Sequence, residues 1–189
     1  MAATVKKNIW LWSTDDGAAP EIRSNQLMAE SQGILIPNSP MYLSTSGTWK
    51  KADTSDGTGD VVHGLLVGAQ NPGTAWPLAA ELAANTEIRV MIVNPDDYFA
   101  VYCQNNGTDA AAAQANIGNR YGLTVETGTG KVGYTTLDTN NSNATVEVMQ
   151  VMGNIDPTKH DLTTAPGVAI VKFIYNTGDD DSGVHASKA

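Results

Sequence analysis

Residues 40–69 read PMYLSTSGTWKKADTSDGTGDVVHGLLVGA, and this stretch decides the fold class. Three apolar runs, MYL, TW and GLLVGA, are separated by polar segments rich in glycine. Ser46-Gly47 predicts a hairpin turn, because glycine reaches the positive φ that tight turns need. The last run predicts a strand that is either buried on both faces or interrupted by a bulge at its glycines. The stretch therefore predicts short consecutive strands, and none of its side chains indicates catalysis.

Strand patterns continue on the C-terminal side of this stretch. In TEIRVMIV, Ile88, Val90 and Ile92 occupy alternate positions and so share one face of a strand. NPDD, with Pro95 at its second position, predicts the turn into the next strand, DYFAVYC. Four further strand patterns follow, RYGLTVE, KVGYTTL, ATVEVMQVMG and VAIVKFIY. We expect a mainly β fold, an antiparallel β-barrel or sandwich, and the sequence shows no internal repeat.

One or two short helices are expected between the strands. Pro77 suits the first turn of a helix over PLAAELAAN, whose leucines are four positions apart and whose end Asn85 can close. Asp109 can cap a second, alanine-rich helical turn that ends near Gly118.

Composition also predicts how the chain is organised. We expect an extended N-terminal arm over residues 1–26 and a β-rich domain over 27–175. If that domain divides into two sub-lobes, they cover about 27–94 and 95–175. Residues 176–189, NTGDDDSGVHASKA, carry consecutive aspartates and few apolar side chains, which predicts a mobile acidic tail.

The clearest candidate for partner binding is the apolar island IWLW, which lies between Lys6-Lys7 and the turn-rich STDDGAAP. Large aromatic side chains at the periphery of a β domain often anchor interfaces. Two interpretations remain open: the island belongs to a binding arm, or it forms the first strand of the domain's own sheet. Both hold if it pairs with a neighbouring copy. The candidate residues are Ile9, Trp10, Leu11, Trp12, Trp49 and Trp76.

No motif indicates an enzyme, a metal site or a cofactor. His63, His160 and His185 do not have the spacing of metal ligands. GTGK at 128–131 lacks the first glycine and the hydroxyl residue of a phosphate-binding loop. DTSDGTGD has Gly64 where a calcium loop needs a bidentate glutamate. No Gly-x-Ser-x-Gly elbow is present, so we expect no catalytic, metal or cofactor-binding residues.

Charge and cysteine usage exclude further classes. The chain has 20 acidic and 11 basic residues, a net charge of −9, which disfavours nucleic acid and anionic membranes as partners. Its apolar runs are too short to span a bilayer, and its N-terminal apolar patch is too short for a signal peptide. We therefore expect synthesis in a cytoplasm without export. The single cysteine, Cys103, lies in a strand pattern and is expected to be a buried apolar residue.

The stretch at 40–69 resembles a segment of the small head-decoration (capsid cement) proteins of lambda-type tailed phages. That pattern is a proline, an apolar-x-Leu strand, a Ser/Thr/Gly turn, a strand ending near Asp, a Gly/Thr/Asp-rich loop and Gly-apolar-apolar-x-Gly/Ala. IGNRYGLTVE and the closing VAIVKFI are similar to C-terminal portions of structural proteins encoded among phage head genes. The chain is longer than the lambda-type proteins, and their pattern ends before residue 95. The matching positions are Pro40, Met41, Leu43, Ser44 to Gly47, Asp53, Asp56-Gly57 and Gly64 to Ala69.

The resemblance implies a homotrimer on the outer surface of a phage capsid, made in the host cytoplasm. Such a protein binds the major capsid protein at three-fold and quasi-three-fold positions and stabilises the expanded shell. An N-terminal arm that adds a strand to a capsid sheet would fit residues 1–26. The alternative is a tail-associated protein, or a β module that binds a carbohydrate or receptor through Trp49 and Trp76.

Overall fold

The computed structural model describes residues 9–14, 17–29, 35–52, 62–69, 84–125, 135–141, 145–152 and 166–174. Their regular structure is almost entirely β-strand, which confirms the predicted fold class. A helix that could span a bilayer is not found within these ranges. The strands are β1 Trp10–Ser13, β2 Ile22–Leu27, β3 Pro40–Leu43, β4 Trp49–Lys51, β5 Gly64–Ala69, β6 Glu87–Ile92, β7 Tyr98–Asn105, β8 Thr108–Asp109, β9 Arg120–Val125, β10 Thr135–Asp138, β11 Val146–Met152 and β12 Val168–Phe173.

The C-terminal strands close into a barrel. Around the ring, β7 neighbours β10, followed by β9, β11 and β12, and β12 pairs back with β7. The β7–β10 pair is parallel and the other four pairs are antiparallel. A ring with an odd number of strands cannot alternate in direction all the way round, so one parallel pair is the minimum. β1 and β8 pair with β7 outside this ring.

The N-terminal strands form a second sheet in the order β2-β6-β5-β3-β4, with every neighbouring pair antiparallel. Its two outer strands also meet, because the residue after β2, Met28, forms a parallel bridge with Trp49 of β4. The amide of Ala29 donates to the carbonyl of Trp49 at 2.9 Å and extends this contact. The five strands of the second sheet therefore also form a ring, in which the contact between the ends of β2 and β4 is a single bridge.

The two sheets are built on one plan: β2, β3, β4, β5 and β6 correspond in order to β7, β9, β10, β11 and β12. Corresponding strands have corresponding neighbours and directions, including the one parallel contact. Their bulges also correspond. The β5–β6 register shifts between Leu66 and Gly68, and the β11–β12 register shifts between Val148 and Gln150, each after the third residue pair. A bulge at the same point of the same strand is a specific feature, because it re-aims the residues that follow.

Backbone hydrogen bonds repeat between the halves as well. The amide of Asn38 donates to the carbonyl of Leu66 at 2.6 Å, and the amide of Gly118 donates to the carbonyl of Val148 at 2.8 Å. Asn38 and Gly118 both have positive φ, 67° and 79°. Asparagine and glycine are the residues that best tolerate this conformation. The chain therefore contains a structural duplication that its sequence does not reveal.

The cores follow from strand alternation. On β5 and β6, Leu66 and Val90 face a core inside the N-terminal half, where Ile88 and Ile92 also lie. Leu65 and Met91, on the opposite face, belong to a larger core shared with the barrel. The N-terminal sheet is therefore buried on both faces around Leu65 and Met91, and this double burial joins the halves. The shared face of Ile88, Val90 and Ile92 was predicted correctly.

Local predictions had mixed outcomes. Gly47 has φ 78° in the β3–β4 hairpin, as expected, and the amide of Asp97 closes the predicted turn by donating to Asn94. The glycine-marked bulge is present at Gly68 of β5. The cap assigned to Asp109 is wrong, because this residue pairs with Gln104 in β8, and the helical turn is a short 3₁₀ segment, Gln114–Asn116. Most of the helix expected over PLAAELAAN falls outside the described residues.

The N-terminal range 1–26 needs a correction. It contains β1, which pairs with β7, and most of β2, which pairs with β6. The boundary expected at residue 26 therefore falls inside a strand. The sequence of β2, IRSNQL, does not predict a strand, because four of its first five residues are polar and its side chains are mostly exposed.

Candidate partner-binding surface

The apolar island forms part of the domain's own sheet. Ile9 is fully buried, and Leu11 packs against the same core, which the barrel shares with the N-terminal half. Trp10 lies on the other face of β1, where its ring centroid is 5.5 Å from that of Tyr102. Of the two interpretations left open by the sequence, the first-strand interpretation therefore describes Ile9, Trp10 and Leu11.

Trp12 differs from its neighbours because a bulge displaces it. Leu11 pairs with Phe99 and Ser13 pairs with Tyr98, so Trp12 is the extra residue between two consecutive pairs. Bulges re-aim side chains at sheet edges. The side chain of Trp12 is accordingly 48% exposed, the largest aromatic surface that the described residues leave open. β1 thus holds an exposed tryptophan on a strand whose other apolar residues fix it to the core.

A charged group lies close to the end of β1. Tyr98, the strand partner of Ser13, carries the Nζ of Lys172 4.6 Å from its ring centroid. The same Nζ is 3.3 Å from Oδ1 of Asp96. Burial alone would lower the pKa of Lys172, but the hydrogen bond to Asp96 and the nearby Tyr98 raise it overall. A cation and a carboxylate therefore lie beside Tyr98, whose backbone pairs with Ser13, the residue after Trp12.

Trp49 is not a surface anchor, contrary to the prediction. It is only 1% exposed and lies in the core of the N-terminal half. Its Nε1 donates to Oε1 of Gln26 at 3.0 Å, which satisfies the one polar atom of the ring. Trp49 is buried because it stands where β4 meets the residue after β2. The sixth candidate, Trp76, lies outside the described residues.

Sequence reasoning missed four exposed apolar side chains. Ile22 and Leu27 are 50% and 41% exposed on β2, and Ile117 and Met149 are 42% and 38% exposed in the barrel half. The only sequence signal for the first two is their isolation in a polar stretch, EIRSNQL. Met149 is exposed because it is the bulge residue of β11, between the pairs of Val148 and Gln150.

Two titratable side chains, His63 and Cys103, have structural roles. Nδ1 of His63 accepts a hydrogen bond from the amide of Leu43 at 3.0 Å, and burial lowers the pKa of His63. It joins the residue before β5 to β3. Burial raises the pKa of the Cys103 thiol to about 12, with the backbone of Ala169 opposing that shift, so the prediction of a buried cysteine is confirmed. Within the described ranges, no three His, Cys, Asp or Glu side chains cluster as a metal site would require.

In comparisons with protein-family models, curated proteins and solved structures, no match to this chain was found.

Proposed function

We propose that the protein is a decoration (cement) protein on the outer surface of a tailed-phage head. It binds the major capsid protein at three-fold or quasi-three-fold positions as a homotrimer and stabilises the expanded shell. The proposal rests on the resemblance of residues 40–69 to lambda-type decoration proteins. The observation that adds to it is Trp12, an aromatic side chain held open at a bulge on a strand that the core fixes in place.

A rigidly presented tryptophan is suited to anchoring a larger protein. Its ring buries a large apolar area and loses few rotatable bonds on binding, which is why tryptophan is enriched among the residues that dominate interface energies. Lys172 and Asp96 lie beside Tyr98, the strand partner of Ser13, and are polar groups of the kind found in an interface rim. In a trimer three such anchors act together, so a modest contact at each one gives tight attachment to the shell.

The test is co-sedimentation with expanded, DNA-free shells of the virus that encodes the chain, stripped of this protein. Wild-type protein is expected to bind saturably and to raise the temperature at which the shells disrupt. Trp12→Ala is expected to weaken binding by roughly 30-fold or more, as for an interface residue worth about 2 kcal/mol. Ile117→Ala, which removes a comparably exposed apolar side chain elsewhere, serves as the matched control and should bind as wild type.

Failure of wild-type protein to bind these shells would refute the proposal. Equal weakening by Trp12→Ala and Ile117→Ala would refute the role of Trp12 while leaving shell binding in place. Light scattering of the pure protein tests trimer formation away from the shell. The alternative function, a carbohydrate- or receptor-binding module, relied on Trp49 and Trp76, and burial of Trp49 removes one of these two anchors.

A further inference from the structure

A row of polar side chains crosses the outer face of the barrel at the end of β7. Gln104 pairs with Asp109 of β8 on one side and with Asp138 of β10 on the other. Side chains of directly paired residues share a face of the sheet, with Cβ atoms about 5 Å apart. Cys103 and Leu137, one position earlier, belong to the barrel core, so the row lies on the opposite, outer face. Gln104 therefore stands between two acidic side chains.

Gln104 is buried with an unsatisfied amide group. The residue is 1% exposed, and its Nε2 lacks a hydrogen-bond partner among the residues that the structure describes. A buried donor without a partner carries the full cost of desolvation, so native proteins rarely keep one without a reason. Rotation of the amide by half a turn presents Oε1 in place of Nε2. A cation between the two acidic side chains would bind this oxygen.

Asp138 is oriented by backbone amides. Its Oδ1 accepts from the amide of Asn106 at 3.1 Å and from that of Asn140 at 2.9 Å. Its Oδ2 accepts from Oγ1 of Thr124 at 3.4 Å, near the outer limit of hydrogen bonding. Asp138 is 8% exposed and forms no ion pair with a residue in the described ranges. One oxygen of the carboxylate is therefore fixed by the fold, and the other has room for a ligand.

A second side-chain amide lies on the same face. Gly122 pairs with Asp138 on the side away from Gln104, and a Cβ at Gly122 would collide with the amide group of Asn141. The glycine thus makes room for Asn141 beside Asp138. Carboxylate and side-chain amide oxygens are ligands of Ca²⁺, with water completing about six to eight positions. Only two members of this set are acidic, so it differs from the clusters of three His, Cys, Asp or Glu side chains that the described ranges lack.

The N-terminal half shows that the fold does not require this row. Ala29 and Lys50 follow the parallel bridge of that half, as Gln104 and Asp138 follow the first parallel pair of the barrel. Tyr42 stands where the barrel has its glycine. Equivalent positions of one plan thus hold an alanine, a lysine and a tyrosine in one half and oxygen ligands with a glycine in the other. Strand pairing alone does not account for the polar set.

We infer that Asp109, Gln104, Asp138 and Asn141 bind a calcium ion on the outer face of the barrel. The carboxylates supply the charge, the amide oxygens add neutral ligands, and water fills the remaining positions. Mg²⁺ fits less well, because it demands near-ideal octahedral geometry and gives up its water reluctantly. The ion would tie β8 and β10 to β7, and the β7–β10 pair is the parallel pair of the ring. The inference goes beyond the proposed function and does not depend on it.

The test uses full-length protein freed of metal by a chelator and titrated with Tb³⁺, which occupies calcium sites and luminesces when a nearby aromatic ring is excited. Tyr102 precedes Gln104 by two residues on the same face, and its ring centroid is 5.5 Å from that of Trp10. Luminescence should rise to saturation and be displaced by Ca²⁺ with a Kd of about 10⁻⁴ to 10⁻³ M, and by Mg²⁺ only at higher concentration. Calcium should also raise the melting temperature.

Three variants separate a built site from general attraction to acidic groups. Asp138→Asn keeps an oxygen that accepts from the two backbone amides but loses the charge, and it should weaken Tb³⁺ and Ca²⁺ binding at least tenfold. Asp96→Asn removes an exposed carboxylate elsewhere and is the matched control, which should bind as wild type. Gln104→Met replaces the unsatisfied amide by an apolar chain. Without calcium it should melt no lower than wild type, and its calcium-dependent rise should be lost.

Absence of saturable Tb³⁺ luminescence would overturn the inference. Equal weakening of binding by Asp138→Asn and Asp96→Asn would do the same, because it would indicate attraction to the acidic surface in general. A calcium-dependent rise in the melting temperature of Gln104→Met equal to that of the wild type would remove Gln104 from the ligands and with it the site.

Discussion

Replacing Trp49 distinguishes a core tryptophan from a binding tryptophan. Trp49→Ala removes a side chain that is 1% exposed and leaves Oε1 of Gln26 without its 3.0 Å donor. Truncation of a buried tryptophan costs about 3–5 kcal/mol. With a urea dependence of about 2 kcal/mol per molar for a small protein, the unfolding midpoint should fall by roughly 2 M. Trp49→Phe keeps most of the ring and should cost less, including about 1 kcal/mol for the lost hydrogen bond.

The assay is equilibrium unfolding in urea followed by circular dichroism, since changing a tryptophan alters fluorescence directly. Trp12→Ala is the control: its side chain is 48% exposed, so by buried area its truncation should cost about half as much as that of Trp49. Hydrogen exchange adds spatial detail, because Trp49 lies in the core confined to the N-terminal half. Protection should therefore be lost first in β2 to β6. A Trp49→Ala protein with a wild-type midpoint and reduced partner binding would refute the assignment of Trp49 to the core.

Three further predictions concern buried groups. Burial lowers the pKa of His63 below 6.5, so its contribution to stability is complete above pH 6.5 and declines as pH falls below that value. Between pH 7 and 5 the melting temperature of His63→Asn should therefore fall less than that of the wild type. An equal fall in both proteins would contradict this prediction. Cys103 should react with a thiol reagent only in denaturant, because it is 1% exposed and burial raises its pKa to about 12. Rapid labelling of the native protein would contradict the placement of Cys103 in the core. Gly167→Ala would place a Cβ 2.7 Å from that of Ala112 and should lower the free energy of unfolding in urea by about 1–3 kcal/mol. Gly68→Ala is the control and should lower it less, because no atom lies within 4 Å of its new Cβ. Equal losses of stability would contradict the packing of Gly167 against Ala112.

The sequence predicted the features that depend on local chemistry. The β3–β4 hairpin follows from a glycine at Gly47, and the inward face of β6 follows from strict alternation at Ile88, Val90 and Ile92. Asp109 shows the limit of such reasoning. Its capping preference is local, but pairing with Gln104 in β8 prevails in the structure.

The remaining features depend on distant partners. Trp49 sits in a three-residue strand too short to show alternation, and the strand residues that share its core come from β3, β5 and β6. The duplication is carried by strand order, bulge position and backbone hydrogen bonds, which many different side chains can satisfy. Val90 and Val171 are among the few equivalent positions that keep the same residue, while Leu65 corresponds to Glu147 and Met91 to Lys172. Leu65 and Met91 are apolar because their face of the N-terminal sheet is buried between the halves. Glu147 and Lys172 are charged because the equivalent face of the barrel is more exposed.

The attachment of β1 to β7 has a mechanical consequence. β1 precedes the N-terminal half in the chain, yet its hydrogen bonds go to the barrel. Tension applied at Trp12 along the strand direction therefore passes directly into β7, where neighbouring hydrogen bonds are strained together in shear and do not open one by one. Single-molecule stretching from this point should unravel the N-terminal half only after β1 slips from its neighbour.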